Sequence, residues 1–170
     1  MDFYATVAQR YSCRAYQSRP IEQEKLNRVL EAARLAPSAR NMQDWRFVVV
    51  HDAETRRELA TAANKQMFIA TAPVVIVGCS VTGQTMRCGQ PIASIDAAIA
   101  LEHVALAATA EGLATCWIGS FYPEQVRAVL GIPLSVAVVE LMPIGYPADA
   151  HQHKGRDPLE NIVCRERWGF

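Results

Sequence analysis

The chain lacks the glycine-rich signatures of the common nucleotide folds. Its nine glycines form no GxGxxG behind a strand and no GxxxxGK[ST], so neither a Rossmann dinucleotide site nor a P-loop is supported. Cysteine is odd in number, at five, with no CxxC pair. That argues against a disulfide framework and against a zinc knuckle, and suits free thiols in a reducing cytoplasm. Charge of one sign is not in excess: the formal net charge is +0, which argues against a protein that coats nucleic acid or an acidic membrane surface. The N-terminus has no basic region followed by an apolar one, so no signal peptide is expected. The one long apolar stretch, Ile92 to Leu113, is interrupted by Asp96, Glu102, His103 and Glu111, too many charges for a lipid-facing span. A nucleophile with its base is also missing. The four histidines are scattered, and His151-x-His153 has no third ligand, so no metal site is expected.

What is present is an ordinary globular balance, 51% hydrophobic and 20% charged over 170 residues, enough for one domain spanning 1–170. Helical and strand patterns mix along the chain. Asp2 can cap a helix carrying Phe3, Tyr4 and Val7. The chain then turns through Arg10 to Tyr16. Pro20 opens a second helix, with Leu26, Val29, Leu30 and Ala33 on one face, and Pro37 ends it. Trp45–Val50 reads as a strand, Asp52 starts a helix reaching about Ala63, and Pro73–Val77 reads as a strand buried on both faces. Val81 to Pro91 is a loop. Beyond the long helix Ile92 to Glu111, Cys116–Ile118 reads as a short strand, Pro123–Leu130 as a helix stopped by Gly131, and Val136–Ile144 as a strand. The last 25 residues form a polar, basic tail. The class is α/β or α+β around one sheet. The long helix is apolar on all sides, so it must be covered on all sides. A homodimer packing this helix against its twin is the simplest solution.

Two stretches carry anion chemistry. Arg10-x-Ser12-x-Arg14 places two guanidinium groups and a hydroxyl on alternate positions, which point to one side of an extended backbone while Tyr11 and Cys13 point to the other. Lys154-Gly155-Arg156 repeats the theme near the other end of the chain. Each alone is an ordinary solvated cluster. The loop Pro37-Ser38-Ala39-Arg40-Asn41 offers small side chains, an amide and a hydroxyl between a helix and a strand, a common place to hold ligands. Residues suited to orienting a cofactor are plentiful and residues suited to hydrolysis are not.

In order along the chain, Arg10-x-Ser12-x-Arg14, Ala36-Pro37-Ser38-x-x-Asn41-x-Gln43-x-Trp45, Asn64 ahead of Ala72-Pro73-Val74-Val75, Gly112-Leu113-x-x-Cys116-Trp117-Ile118-Gly119 and Lys154-x-Arg156 resemble the nitroreductase family of FMN-dependent oxidoreductases. The resemblance spans essentially the whole chain. Asp44 departs from it, standing where the family often has proline, and Val81–Pro91 leaves no room for the helical insertion of longer members.

The resemblance implies an α+β fold with a mostly antiparallel central sheet, in an intertwined homodimer whose long central helix lies at the interface. It implies an NAD(P)H oxidoreductase that reduces nitroaromatics, quinones or similar small acceptors by a ping-pong exchange, the hydride passing through the flavin. By resemblance, Arg10, Ser12, Lys154 and Arg156 would hold the FMN phosphate and ribityl chain. Arg14 would lie near the pyrimidine edge, where a fixed guanidinium favours reduction, and Asn64 would bond that edge with help from Lys65 or Gln66. Pro37, Ser38, Ala39 and Asn41 would reach the flavin from the other subunit. Ile118, Gly119 and Ser120 would lie along the ring. A dehalogenase-type relative on the same FMN site, and a non-enzymatic flavin carrier or redox sensor, are the alternatives.

Overall fold

The structure is a computed structural model, and it describes residues 2–150 and 155–170. In chain order the elements are α1 (Phe3–Gln9), α2 (Gln23–Arg34), a 3-10 turn (Ala39–Asn41), β1 (Trp45–Val50), α3 (Ala53–Ala62), α4 (Phe68–Thr71), β2 (Val74–Ser80), α5 (Ile92–Ala110), β3 (Ala114–Thr115), α6 (Pro123–Leu130), β4 (Ala137–Gly145) and α7 (Leu159–Ile162). The strands form one antiparallel sheet in the order β1-β2-β4-β3, so the α+β expectation holds.

Strand β2 is the spine. All seven of its residues are buried, because its two faces serve two cores. Val75, Val77 and Cys79 pack with Leu59, Ile69, Val126 and Leu141 beneath α3, α4 and α6. Val74 and Ile76 pack with Leu26, Val29, Leu101, Val104 and Met142 beneath α2 and α5. The alternation of a period-two strand between two apolar layers accounts for its continuous hydrophobic run.

Helix caps match the sequence signals. Asp2 accepts from the Ala5 N–H and Asp52 from the Thr55 N–H, and Gly131 stops α6 in the left-handed conformation. Other expectations shift. Helix α2 begins at Gln23, three residues beyond Pro20. Strand β2 runs on to Ser80, past Val77. The paired residues near the end of α5 are Ala114 and Thr115; the expected strand Cys116–Ile118 is a looser continuation, held by the Cys116 N–H on the Pro143 carbonyl (3.4 Å) and by an Ile118 bridge that exchanges hydrogen bonds with Leu141. Helices α4 and α7, each of four residues, are too short to leave a periodic signal. The Val81–Pro91 loop holds no helix and closes through a Thr85–Pro91 bridge and a Gly89 N–H to Met86 carbonyl bond.

Helix α5 is, among the described residues, the one helix long and apolar enough to cross a membrane by length and composition. Here it packs across the sheet and along α2. Ala97, Ala100, Leu101, Val104, Ala105 and Ala108 are buried, whereas Ile95, Ala98, Ile99 and Leu106 on its other side are only partly covered.

The start of the chain is sewn to the end of β4. Gly145 sits where any side chain would collide: a Cβ there would lie 2.5 Å from Pro73 Cδ and 3.1 Å from Tyr16 Cδ1. Both rings are rigid neighbours, so Gly145→Ala is expected to destabilise by about 1–3 kcal/mol. A urea unfolding midpoint equal to that of the parent would contradict this packing.

Candidate functional site

Residues 10–16 form an extended ribbon beside β3, where a turn had been expected. Ser12 bridges Thr115 in parallel and the Cys13 N–H donates to the Thr115 carbonyl (3.0 Å). Farther on, Ala148 N–H donates to Ala15 and Gln17 N–H to Tyr146, and the Tyr16 hydroxyl donates to Cys13 and Pro143 carbonyls. The alternation read from Arg10-x-Ser12-x-Arg14 is fixed by a residue the sequence reading did not single out. Asp149 Oδ1 accepts from the Tyr11 hydroxyl at 2.7 Å and the Cys13 thiol at 3.2 Å, and its Oδ2 from the Arg14 N–H at 3.3 Å. Tyr11 and Cys13 are thereby turned inward, leaving Arg10, Ser12 and Arg14 on the opposite side.

Burial pushes the Cys13 thiol up to about 11 and, with the Asp149 bond, raises the Tyr11 hydroxyl as well, so both remain donors at neutral pH. Burial also acts to raise Asp149, but the bonds from Tyr11, Cys13 and Arg14 outweigh it and hold the carboxylate below its ordinary range. A depressed carboxylate contributes stability above its unfolded pKa and loses it as pH falls through the folded one.

Arg10 Nε lies 3.8 Å from Glu102 Oε1, and the other Glu102 oxygen accepts from Trp117 Nε1 at 3.2 Å. An acid on α5 thus places the first arginine next to the segment that follows β3. Ile118 N–H donates to Leu141 (3.0 Å) and Leu141 N–H returns to Ile118 (3.3 Å). In such a pair the flanking peptide groups face the other way, so the N–H groups of Trp117 and Gly119 point off the sheet edge. A side chain at 119 would project toward Glu140, whose carboxyl oxygens lie 3.6 and 3.8 Å from that Cβ position.

Glu140 is a lone acid in the apolar strand β4. Its Oε1 is buried without a hydrogen-bond partner among the described residues. Burial raises the carboxyl to about 7, against a smaller lowering by the Ile118 peptide group. The folded pKa exceeds the unfolded value of about 4.3, so the contribution to stability is complete below that pH and is lost as pH rises toward 7. Glu140→Gln should therefore match the parent near pH 4 and exceed its urea midpoint increasingly up to about pH 7, then hold a constant advantage. A pH-independent difference would contradict a titrating Glu140.

At the same edge, Asn64 Nδ2 donates to Ser120 Oγ at 2.7 Å, and Gln66 Nε2 donates to the Ser120 carbonyl at 3.1 Å. Asn64 and Lys65 both hold left-handed backbone, φ 55° and 58°, which presents their side chains on a tight corner after α3. The structure thus brings Arg10, Ser12, Arg14, Ile118, Gly119, Ser120 and Asn64 to the β3 side of the sheet. Pro37, Ser38, Ala39 and Asn41 lie elsewhere: their turn leads into β1, the opposite edge. Three strand spacings, about 14 Å, separate the two edges. Arg156 is exposed, with its guanidinium on the Gly155 carbonyl. Lys154 lies outside the described residues. Among the described residues no cluster of metal-ligating side chains occurs.

The Nitroreductase family pattern matches residues 7–76 and 63–146. The chain belongs to the nitroreductase family. It is 33% identical to a Thermus thermophilus protein named NADH dehydrogenase, over 96% of this chain and 95% of the relative. It is 32% identical to an Archaeoglobus fulgidus protein named as a putative NADH dehydrogenase/NAD(P)H nitroreductase, covering 94% of each. Among solved structures, a Clostridium difficile nitroreductase family protein superposes with a TM-score of 0.90 at 34% identity, over 99% of this chain and all of the other. The Vibrio harveyi NADPH:FMN oxidoreductase complexed with NAD+ superposes with a TM-score of 0.91 at 26% identity, over 99% of this chain and 78% of that one.

The Asp149 clamp generates its own test. Asp149→Ala removes the acceptor for three donors, and leaving such groups unsatisfied costs about 1–3 kcal/mol each at most. The variant is expected to expose the Cys13 thiol to alkylation at neutral pH while the sheet stays folded by circular dichroism. A Cys13 as protected as in the parent would remove Asp149 from this role.

Proposed function

We propose that this chain is an FMN-dependent NAD(P)H oxidoreductase acting as a homodimer, with each FMN held by the β3-edge residues of one subunit and the Ser38–Asn41 turn of the other. The observation that carries the reading is the edge itself. Arg10, Ser12 and Arg14 line one flank, and the outward N–H groups of Trp117 and Gly119 meet the Asn64–Ser120 pair on the other.

The residues fit the cofactor. Arg10 and Ser12, joined by Lys154 and Arg156 from the tail, offer the cations and hydroxyl that a phosphate requires. Asn64 supplies an amide for the polar rim of the pyrimidine ring, and Arg14 a fixed positive charge beside it. Gly119 has no side chain to obstruct a flat ring against its N–H. When bound, FMN supplies hydride acceptance and donation at N5. The protein holds the reactants in line and places fixed positive charge where negative charge develops. NADH or NADPH and then a nitroaromatic, quinone or similar acceptor use the same opening in turn, which is ping-pong exchange.

Purified protein is expected to bind FMN and to bleach anaerobically on addition of NADH or NADPH, recovering its colour when an acceptor is added. Protein that neither carries nor takes up FMN would overturn the proposal. FMN that no nicotinamide reduces would leave a flavin carrier. Arg10→Ala should weaken FMN binding about 10- to 100-fold, the loss of a charged hydrogen bond. Arg14→Ala should retain FMN and lower its reduction potential. An unchanged potential would place Arg14 away from the ring.

A further inference from the structure

Glu140 stands between two glycines of the sheet. Its partner on β2 is Gly78. On the other side Ile118 and Leu141 exchange both peptide hydrogen bonds, so Gly119 and Glu140 form the next cross-strand pair, the kind in which side chains approach most closely. By the alternation of β4, Glu140 shares a face with Met142 and Ile144, the face that packs on α5. Gly119 shares that face with Trp117, which packs against the same core.

The two glycines differ in what stands over them. A Cβ on Gly78 would lie 2.7 Å from Leu101 Cδ1, so α5 fills that place. A Cβ on Gly119 would meet Glu140 Oε2 at 3.6 Å and Oε1 at 3.8 Å and, apart from its own chain neighbours, nothing else within 4 Å among the described residues. The carboxyl is therefore walled on its β2 side and open toward Gly119, which is exposed. Oε1 is buried and accepts no hydrogen bond among the described residues, although a buried carboxylate oxygen normally finds a donor or a cation. The charged groups of the elements packed on β4 are engaged elsewhere. On α5, Glu102 holds Trp117 and Asp96 holds the Ala39 N–H. On α6, Arg127 holds Glu124 and the Val136 carbonyl. On β2, Cys79 lies in the opposite core. Burial raises the carboxyl to about 7, the Ile118 peptide group lowers it less, and no charged side chain acts on it.

We propose that Glu140 holds the proton that accompanies each hydride through the site, taking one up when hydride enters from the nicotinamide and giving it back when hydride leaves to the acceptor. This rests on the flavin site proposed above, in which Gly119 lies along the ring. NAD(P)H that gives up a hydride leaves as NAD(P)+, so the site gains two electrons, one proton and one unit of negative charge. Negative charge arriving beside an unpaired acid favours its protonated form, and solvent supplies the proton. A quinone that next accepts the hydride becomes an oxyanion, and the proton released from Glu140 completes the hydroquinone. The sum is NAD(P)H, one proton and quinone giving NAD(P)+ and hydroquinone. An acid that must both take up and release a proton at neutral pH works best with a pKa near that pH.

The test compares the midpoint potential of the FMN-loaded parent with that of Glu140→Gln, whose amide stays neutral, from about pH 5 to about pH 9. Below about pH 7 Glu140 keeps its proton before and after reduction, so the two potentials should run parallel. Above it, Glu140 is ionised before reduction and protonated afterwards, so the parent should fall more steeply. One extra proton per two electrons is a tenfold change in the reduction equilibrium per pH unit, about 30 mV. A purely structural Glu140 would leave the slopes equal, and equal slopes in FMN-loaded protein would overturn the proton-holding role. Should Glu140→Gln fail to fold, the parent alone decides. Its reduction at about pH 8 should add the infrared carbonyl band of a protonated carboxyl, and no such band would overturn the role. Protein that takes up no FMN would instead overturn the flavin reading, and the coupling with it.

Discussion

The strand order β1-β2-β4-β3 places the two groups of ligand-suited residues on opposite edges of one sheet. That separation is a consequence of burial. Strand β2 is apolar on both faces, so it takes the interior and is flanked by β1 and β4. The N-terminal ribbon finds its place beside β3 because Tyr11, Cys13 and Tyr16 need a covered surface, which Ala72 and Ala114 provide. The ribbon lies on one edge, and the Ser38–Asn41 turn leads into the other. Ile95, Ile99 and Leu106 leave one side of α5 apolar and only partly covered within the chain.

Three carboxylates organise this arrangement although none of the three is asked to do the redox chemistry. Asp149 sets which way the ribbon's side chains face. Glu102 holds Trp117 and lies beside Arg10. Asp96 anchors the Ser38–Asn41 turn through the Ala39 N–H. Each is placed so that its oxygens order peptide groups or cations that would otherwise point elsewhere. Preorganisation of this kind lowers the cost of binding because the groups are already aimed.

Much of the fold was legible. The caps at Asp2 and Asp52, the stop at Gly131 and the continuous apolar run of β2 all carried local signals. The ordered motifs carried the family. The shortest elements were not legible, since α4 and α7 span barely one turn and the β3 pairing is made by two residues. In the candidate site, the residues proposed to face a ligand stand out by type and spacing. Their supports do not, because a hydrogen bond between residues 136 or 138 positions apart leaves no trace in local pattern. A trace did exist for Asp96 and Glu140, each an acid set among apolar neighbours. Asp96 was read only as an obstacle to membrane insertion.

Subunit complementation tests the shared site most directly. Arg10→Glu disables the ribbon and Ser38→Trp blocks the turn, and a heterodimer of the two variants can be purified with distinct affinity tags. If each site combines the ribbon of one subunit with the turn of the other, both lesions fall in one site and the second is intact. The heterodimer is then expected to bind about one FMN per dimer with parental affinity, while each homodimer binds weakly or not at all. A heterodimer as defective as its two parents would mean that ribbon and turn serve the same chain, contrary to the shared site proposed above.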